Sequence, residues 1–313
     1  MSAKLITIFG GSGFIGRHLV GRLAAKGHQI RIATRDPESA AQLMTQGTVG
    51  QIVGFKTNVR NQLSVEKAVA GADVVINLVG ILYEKGAQNF GRLHVDAAER
   101  IAAAAKAAGA KQLVHMSALG ASKDHDSAYA RSEELAAKEY PGATILRPSV
   151  VFGRDDDFFN RFASILSLAP VFPLADGGDK KMQPIWVEDL VDAIDLILET
   201  PEQQGKIWEL SGPDAYSFCE LMEKVLEFTN RKCLLLPVPS GMMSLMATFL
   251  ALAPGRPQLT PDQVKLLQYD NVPSGDFPNL GDLGIKPATI DVIVPEYLKR
   301  YRRGGGMKSD IAE

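Results

Sequence analysis

Apolar and polar positions in the first half of the chain follow two alternating periods. Leu5-Ile6-Thr7-Ile8-Phe9 is a short apolar run that stops at Gly10. Beyond it, Leu19, Val20, Leu23 and Ala24 recur at helical spacing. The rhythm repeats. Strands are expected at 29–33, 51–55, 73–79, 112–116 and 143–146, and helices at about 37–46, 63–70, 90–108 and 128–139. The run Val-Val-Ile-Asn-Leu-Val at 74–79 reads as a strand buried on both faces. Six strands alternating with helices predict an α/β fold, a Rossmann-type doubly wound parallel sheet with right-handed crossovers. Ligands of such sheets bind at the carboxyl ends of the strands, where Gly10, Arg35, Asn58, Gly80 and Ser117 fall.

Past Arg147 the pattern loosens and prolines become frequent. The expected organisation is a dinucleotide-binding domain at 1–150 and a smaller α/β lobe at 151–303, interleaved with the sheet. Extra strands are expected near 184–187 and 206–210, and a flexible tail at 304–313.

The first strand ends in Gly10-Gly11-Ser12-Gly13-Phe14-Ile15-Gly16-Arg17. The first glycine of Gly-x-x-Gly-x-x-Gly permits a tight turn, the second lets a diphosphate approach the main chain, and the third lets helix and strand pack closely. The following helix offers its N–H groups and the positive end of its dipole to an anion. The end of the second strand, where NAD-binding units place a carboxylate for the ribose 2′-OH, carries Thr34 and Arg35. Two cations, Arg17 and Arg35, suit a 2′-phosphate, so NADPH or NADP is expected over NAD. The candidate cofactor contacts are Gly10, Gly13, Phe14, Ile15, Gly16, Arg17, Arg35, Asn58, Val59, Gly80, Ser117, Tyr129 and Pro148.

Composition narrows the remaining classes. The chain has 313 residues, 46% of them apolar, with 34 basic against 36 acidic side chains. That balance disfavours a nucleic-acid partner. Two cysteines, Cys219 and Cys233, and five scattered histidines show no metal spacing, and no metal is expected. The longest apolar stretch, 242–253, is shorter than the roughly 20 residues a spanning helix needs. Residues 1–4 lead straight into the first strand, so no signal peptide is expected and the protein is placed in the cytosol.

The glycine motif, Tyr129-x-x-Ser132, Arg147-Pro148-Ser149-Val150-Val151-Phe152-Gly153 and Trp186-Val187-Glu188-Asp189 together resemble the short-chain dehydrogenase/reductase superfamily, in its atypical branch. Residues 1 to about 210 carry the likeness. Within that branch the chain is similar to the NADPH-binding accessory subunit of respiratory complex I and its bacterial relatives. The shared features are the GGSGFIGR opening, the arginine after the second strand, the Arg-Pro-x-x-Val-Phe-Gly run and a proline-rich, apolar C-terminal lobe. The resemblance implies a subunit or assembly factor that holds NADPH mainly as a structural ligand, with other complex I subunits as partners and contact with the membrane surface. It also implies a place in the bacterial cytoplasm, peripheral on the cytoplasmic face of the inner membrane.

Catalytic members of the superfamily pair a tyrosine acid/base with a lysine four residues on, whose ammonium lowers the phenol pKa. Here Tyr129 is followed at that spacing by Glu133, with Ser132 and Glu134 on either side. A carboxylate beside the phenol is expected to raise its pKa. Tyr129 is then read either as an acid/base or as a phenol lining the cofactor ribose, and Glu133 favours the second. Ser117, at the end of the fifth strand, is either the catalytic hydroxyl or a strand-end cap. The competing function is an NADP(H)-dependent reductase, epimerase or dehydratase on a nucleotide-sugar or other small carbonyl or hydroxyl substrate. A redox-sensing binding protein is a third.

Other residues read as structural. His115 is expected to be a core histidine with its polar atoms satisfied. Asp155-Asp156-Asp157 and Glu188-Asp189 are expected to complement helix N-termini. Trp186 reads as core or lobe wall. The methionine-rich stretch 242–250 reads as core or as a partner- or membrane-facing surface. The basic end Leu298-Lys299-Arg300-Tyr301-Arg302-Arg303 reads as a dipole complement or a contact for anionic lipid.

Overall fold

In the computed structural model of the chain, residues 3–80, 94–122, 127–239, 241 and 269–306 are described. The stretch 242–250 lies outside them. In chain order the first elements are β1 (Leu5–Phe9), α1 (Phe14–Ala25), β2 (Gln29–Thr34), α2 (Ala41–Met44), β3 (Ile52–Lys56), α3 (Gln62–Val69) and β4 (Val74–Asn77). They are followed by α4 (Asp96–Ala107), β5 (Gln112–Met116), α5 (Ala128–Glu139), β6 (Thr144–Pro148), β7 (Val151–Phe152), α6 (Phe159–Leu168) and β8 (Val171–Ala175). Then come β9 (Lys181–Met182), β10 (Ile185–Trp186), α7 (Val187–Glu199), β11 (Ile207–Leu210), β12 (Tyr216–Ser217), α8 (Phe218–Thr229), β13 (Leu234–Val238) and α9 (Ile290–Leu298).

The chain divides into two units. The first comprises Met1–Pro148, Val187–Leu210 and Ser274–Lys286. Its centre is a parallel seven-stranded sheet in the order β11-β6-β5-β4-β1-β2-β3. The chain runs outward one way through β1, β2 and β3, returns to β4, and runs the other way through β5, β6 and β11. The switch point therefore lies between β1 and β4, the place where a doubly wound sheet opens a crevice for a ligand. Phe9, Val75 and Leu113 share a core cluster with Val65 of α3, Ile101 of α4 and Ala136 of α5. Ile6 and Ile8, one residue out of step along β1, are fully buried and point to the opposite face. On that side α1 meets α7 through a ladder of polar contacts, lysine and arginine ion pairs among them. His18 Nδ1 lies 2.6 Å from Glu188, Arg22 bonds Asp192, and Lys26 lies 2.7 Å from both Asp195 and Glu199.

One expected helix is cut short. The stretch 37–46 forms a 3₁₀ turn, Pro37–Ala40, and the single turn α2. The Asp36 carboxylate accepts from the Glu38 N–H and so caps the 3₁₀ turn. The expected strand at 206–210 is β11, the seventh strand of the sheet, whereas the one at 184–187 is the two-residue β10, paired in parallel with β7 alone.

The second unit comprises Ser149–Trp186, Ser211–Pro273 and Pro287–Glu313. Around a core of Phe152, Phe159, Phe162, Leu221, Val225, Val294 and Leu298 it sets α6, α8 and α9 with three two-stranded pairs. Asp156 is buried at the start of α6, where its carboxylate accepts from the Gly153 and Asn160 N–H groups and from the Tyr297 hydroxyl at 2.6 Å. This is the helix-terminus role read from the acidic run. Arg303–Gly306 forms a 3₁₀ turn, and residues 307–313 lie outside the described residues.

Candidate cofactor site

The turn from β1 into α1 is built for close main-chain approach. Gly10 holds φ at +78°, and a Cβ there would stand 2.9 Å from the Leu78 carbonyl oxygen. A Cβ on Gly16 would stand 2.5 Å from the Gly10 carbonyl oxygen, so only glycine lets α1 sit this close to β1. The Gly13 N–H donates to Gly10 O at 2.9 Å and closes the turn. Helix α1 starts with no side-chain cap and no acid in its first turn. The arrangement fits a diphosphate: an exposed Gly13, a positive dipole end, and no carboxylate in the first turn of α1. Phe14 and Ile15 are half-buried in that first turn, and Arg17 lies one turn along, its Nε 3.4 Å from Gly13 O.

Beside this turn, β2 ends at Thr34. Arg35 is exposed and makes no hydrogen bond or ion pair among the described residues. The adjacent acid, Asp36, accepts from the Glu38 N–H in its cap. After β3, Asn58 is exposed and its side chain accepts from the Arg60 N–H. Val59 is half-buried against the core cluster, and its carbonyl accepts from Arg100 at 2.8 Å.

On the other side of the switch point, Gly80, Ser117 and Pro148 lie at or just past the carboxyl ends of β4, β5 and β6, and Tyr129 lies on α5. The Ser117 N–H donates to Leu146 O, but its hydroxyl is buried and has no partner, so it caps nothing among the described residues. Tyr129 lies in the first turn of α5, whose N-cap is Ser127. The His94 ring meets Tyr129 edge-on, 4.7 Å between centroids, and His94 Cε1 is 3.3 Å from where a Gly80 Cβ would stand. Pro148 is buried at the end of β6, opposite Leu210.

The environment of Glu133 departs from the sequence reading. Its carboxylate does not act on the phenol. It accepts two hydrogen bonds from Arg147, Nε at 2.9 Å and Nη2 at 2.6 Å, and both residues are buried. The pair holds the Arg147 guanidinium above its ordinary pKa, the hydrogen bond to Glu133 being the main cause. The Tyr129 phenol is indeed pushed up from 10, but by burial. Arg147 has a second acid nearby, Glu209 of β11 at 3.8 Å, and stacks over Phe277 at 4.9 Å. Glu209 is fully buried and accepts from the Ser274 N–H and hydroxyl. Sequence reasoning treated Arg147 as part of a motif and overlooked Glu209. The available signal was a charged residue inside each of two apolar strands.

His115 is buried and satisfied, as expected. Its Nδ1 lies 3.0 Å from Asn77 Nδ2 and its Nε2 3.0 Å from Ser132 Oγ. Burial lowers its pKa to about 4, so it is neutral at pH 7. Among the described residues no group of acids, histidines and cysteines could hold a metal ion, and no helix is long and apolar enough to cross a membrane.

Comparison with known proteins accords with this geometry. Residues 10–148 match the family described as NAD(P)H-binding. The alpha subcomplex subunit 9 of mitochondrial NADH dehydrogenase [ubiquinone] 1 from Rattus norvegicus is 33% identical over 319 residues, covering 100% of this chain and 84% of the relative. The chain belongs to the alpha subcomplex subunit 9 family. The NADH-ubiquinone oxidoreductase 40 kDa subunit of Neurospora crassa is 30% identical over 300 residues, covering 95% of this chain and 79% of that one. Members of the family are thus subunits of mitochondrial complex I. Among solved structures, the NADPH-dependent quinone oxidoreductase QOR2 of Escherichia coli, complexed with NADPH, superposes with a TM-score of 0.73 at 18% identity. That match covers 94% of this chain and 99% of that one, and shows the shared Rossmann-type fold.

Proposed function

We propose that this protein is an NADP(H)-binding accessory or assembly subunit of a proton-pumping NADH:quinone oxidoreductase. In this reading the nucleotide is held mainly as a structural ligand and little or no hydride is transferred. The observation that carries it is the bidentate bond between Glu133 and Arg147, buried where a catalytic enzyme of this fold would keep a lysine. A group locked in that pair cannot lower the Tyr129 phenol pKa, and burial already raises it. The phenol stays protonated and is a poor base.

The diphosphate would lie on the Gly10–Gly16 turn, with Phe14 and Ile15 in the first turn of α1. Arg17 and Arg35 would take a 2′-phosphate, Asn58 and Val59 would border the adenine, and Gly80, Ser117, Tyr129 and Pro148 would line the nicotinamide half. When bound, the nucleotide supplies binding energy to the native state that the unfolded chain lacks, stabilising the sheet. Residues 1–150 serve as the dinucleotide domain. The second unit, not the whole of the expected lobe at 151–303, faces partner subunits and the surface of the membrane, on the cytoplasmic face in a bacterium. Family membership supports the complex I partners.

The test is gentle solubilisation of membranes followed by separation of complexes by size. Co-migration with complex I supports the reading; a protein that runs only as a free species overturns it. The buried, unpartnered Ser117 hydroxyl at the end of β5 favours one second reading, a small-molecule reductase or epimerase. Turnover of NADPH with a substrate panel, lost on Tyr129→Phe, would establish it.

A further inference from the structure

The hydrogen bonds around His115 form a chain with a single consistent direction. The Ser132 hydroxyl donates to the Tyr129 carbonyl at 2.8 Å. Its oxygen must therefore accept from His115 Nε2. His115 Nδ1 is then the acceptor, taking a hydrogen from the Asn77 amide nitrogen. The Asn77 amide oxygen accepts in turn from the Val79 N–H at 3.1 Å. Each member matches a donor to an acceptor, which assigns the Nε2–H tautomer. The lowered pKa of His115 keeps that tautomer neutral across the working pH range.

The chain of bonds crosses three elements. Asn77 and His115 are register partners at the carboxyl ends of β4 and β5, and Ser132 is one turn into α5. Its two ends are the main chain of the turn at Val79, next to Gly80, and the main chain of Tyr129. His94 closes the circuit from the far side, against both Gly80 and Tyr129. All of these groups lie on the β4–β5 side of the switch point. Arg35 lies on the β2 side, so a dinucleotide whose 2′-phosphate sits at Arg35 spans the crevice and presents its nicotinamide half to this circuit.

We infer that Asn77, His115 and Ser132 are positioning residues for the nicotinamide half of the cofactor, fixing the Val79–Gly80 turn and the first turn of α5 at the spacing that half requires. None of the three touches the nucleotide. Asn77 acts through the main chain beside Gly80, Ser132 through the main chain of Tyr129, and His115 by holding Asn77 and Ser132 together. The adenosine half, held by the glycine turn and Arg35, is independent of them. The inference rests on the NADP(H) reading above and adds to it how one half of the site is held.

The experiment measures dissociation constants of NADPH and of 2′,5′-ADP, which carries only the adenosine–phosphate half, for the full-length wild type, His115→Leu and Ser132→Ala. Binding of 2′,5′-ADP serves as the fold control. The expected result is NADPH weakened by about tenfold or more, the loss of one or two buried hydrogen bonds, with 2′,5′-ADP unchanged. His115→Gln, whose amide keeps a donor toward Ser132, should recover part of the loss. Equal weakening of both ligands, or no weakening of either, overturns the inference and leaves the NADP(H) reading intact. A wild type that binds neither ligand overturns the NADP(H) reading, and this inference with it. Nitrogen-15 NMR of the histidine rings adds a readout free of ligand: an Nδ1–H tautomer at His115 contradicts the directed chain.

Discussion

Replacing Glu133 by glutamine strips one partner from a buried ion pair and leaves the guanidinium of Arg147 in place. Glu133 and Arg147 are 7% and 8% exposed, so water cannot take over the lost bonds. Removing one member of such a pair costs about 3–5 kcal/mol. Arg147 keeps Glu209 at 3.8 Å and the Phe277 ring, which places the expected loss near the lower end, about 3 kcal/mol. Glu133→Lys is more severe, because it puts an ammonium against the guanidinium. It is expected to lower the yield of folded protein and to produce no NADPH turnover. Urea denaturation of wild type, Glu133→Gln, Arg147→Met and the double variant gives the coupling. The double variant should cost less than the sum of the two single variants, the difference being the Glu133–Arg147 coupling, while the buried Glu209 left without Arg147 keeps it below the wild type. A Glu133→Gln cost below about 1 kcal/mol would mean that the pair is solvated, and the reasoning would be refuted. A folded, catalytically active Glu133→Lys variant would refute it from the other side.

Gly16→Ala should abolish nucleotide binding and destabilise the first unit, since its Cβ would meet the Gly10 carbonyl oxygen at 2.5 Å; calorimetric titration and thermal melting check both. Arg35→Ala should weaken NADPH by about tenfold or more while leaving NADH within about twofold, read by fluorescence titration of each. The folded-state pKa of His115 is about 4 against 6.5 for a free side chain, so the unfolded chain takes up a proton that the folded protein refuses. The stability this costs is zero above pH 6.5 and grows to about 3 kcal/mol as pH falls to 4, where it levels off; the slope should be missing from His115→Gln in denaturation series across that range. Tyr297→Phe leaves the buried Asp156 carboxylate one donor short, and about 1–3 kcal/mol of stability should be lost from the second unit, measured by hydrogen exchange along α6 and α9.

The first unit was legible because its signals are local. A strand, a glycine turn and an amphipathic helix at 5–25 are set by period and by Gly10 and Gly16, and the strict strand–helix alternation dictates a parallel sheet. Even β11, distant in sequence, was marked by its apolar run. The second unit carries weaker marks. Strands of two residues such as β7, β9 and β10 have no period to detect, and β8 and β13 carry Pro173 and Pro237 in their interiors, where a sequence pattern argues against a strand. At the site, the glycine turn and Arg35 could be placed from spacing alone. Glu133 could not, because helical spacing puts it one turn from Tyr129 but says nothing of the adjacent strand. Arg147 on β6 offers a bidentate partner, and its charge outcompetes a neutral phenol for the carboxylate. The His115 chain was invisible for the same reason: its members come from β4, β5 and α5, and only the register Asn77↔His115 brings them together.

The measurement closest to the central claim is the identity and amount of nucleotide released when the purified protein is denatured. The account predicts NADP(H) at about one per chain, not oxidised by added substrates before release. Stoichiometric NAD(H), or a protein that is fully folded and carries no nucleotide, would contradict it.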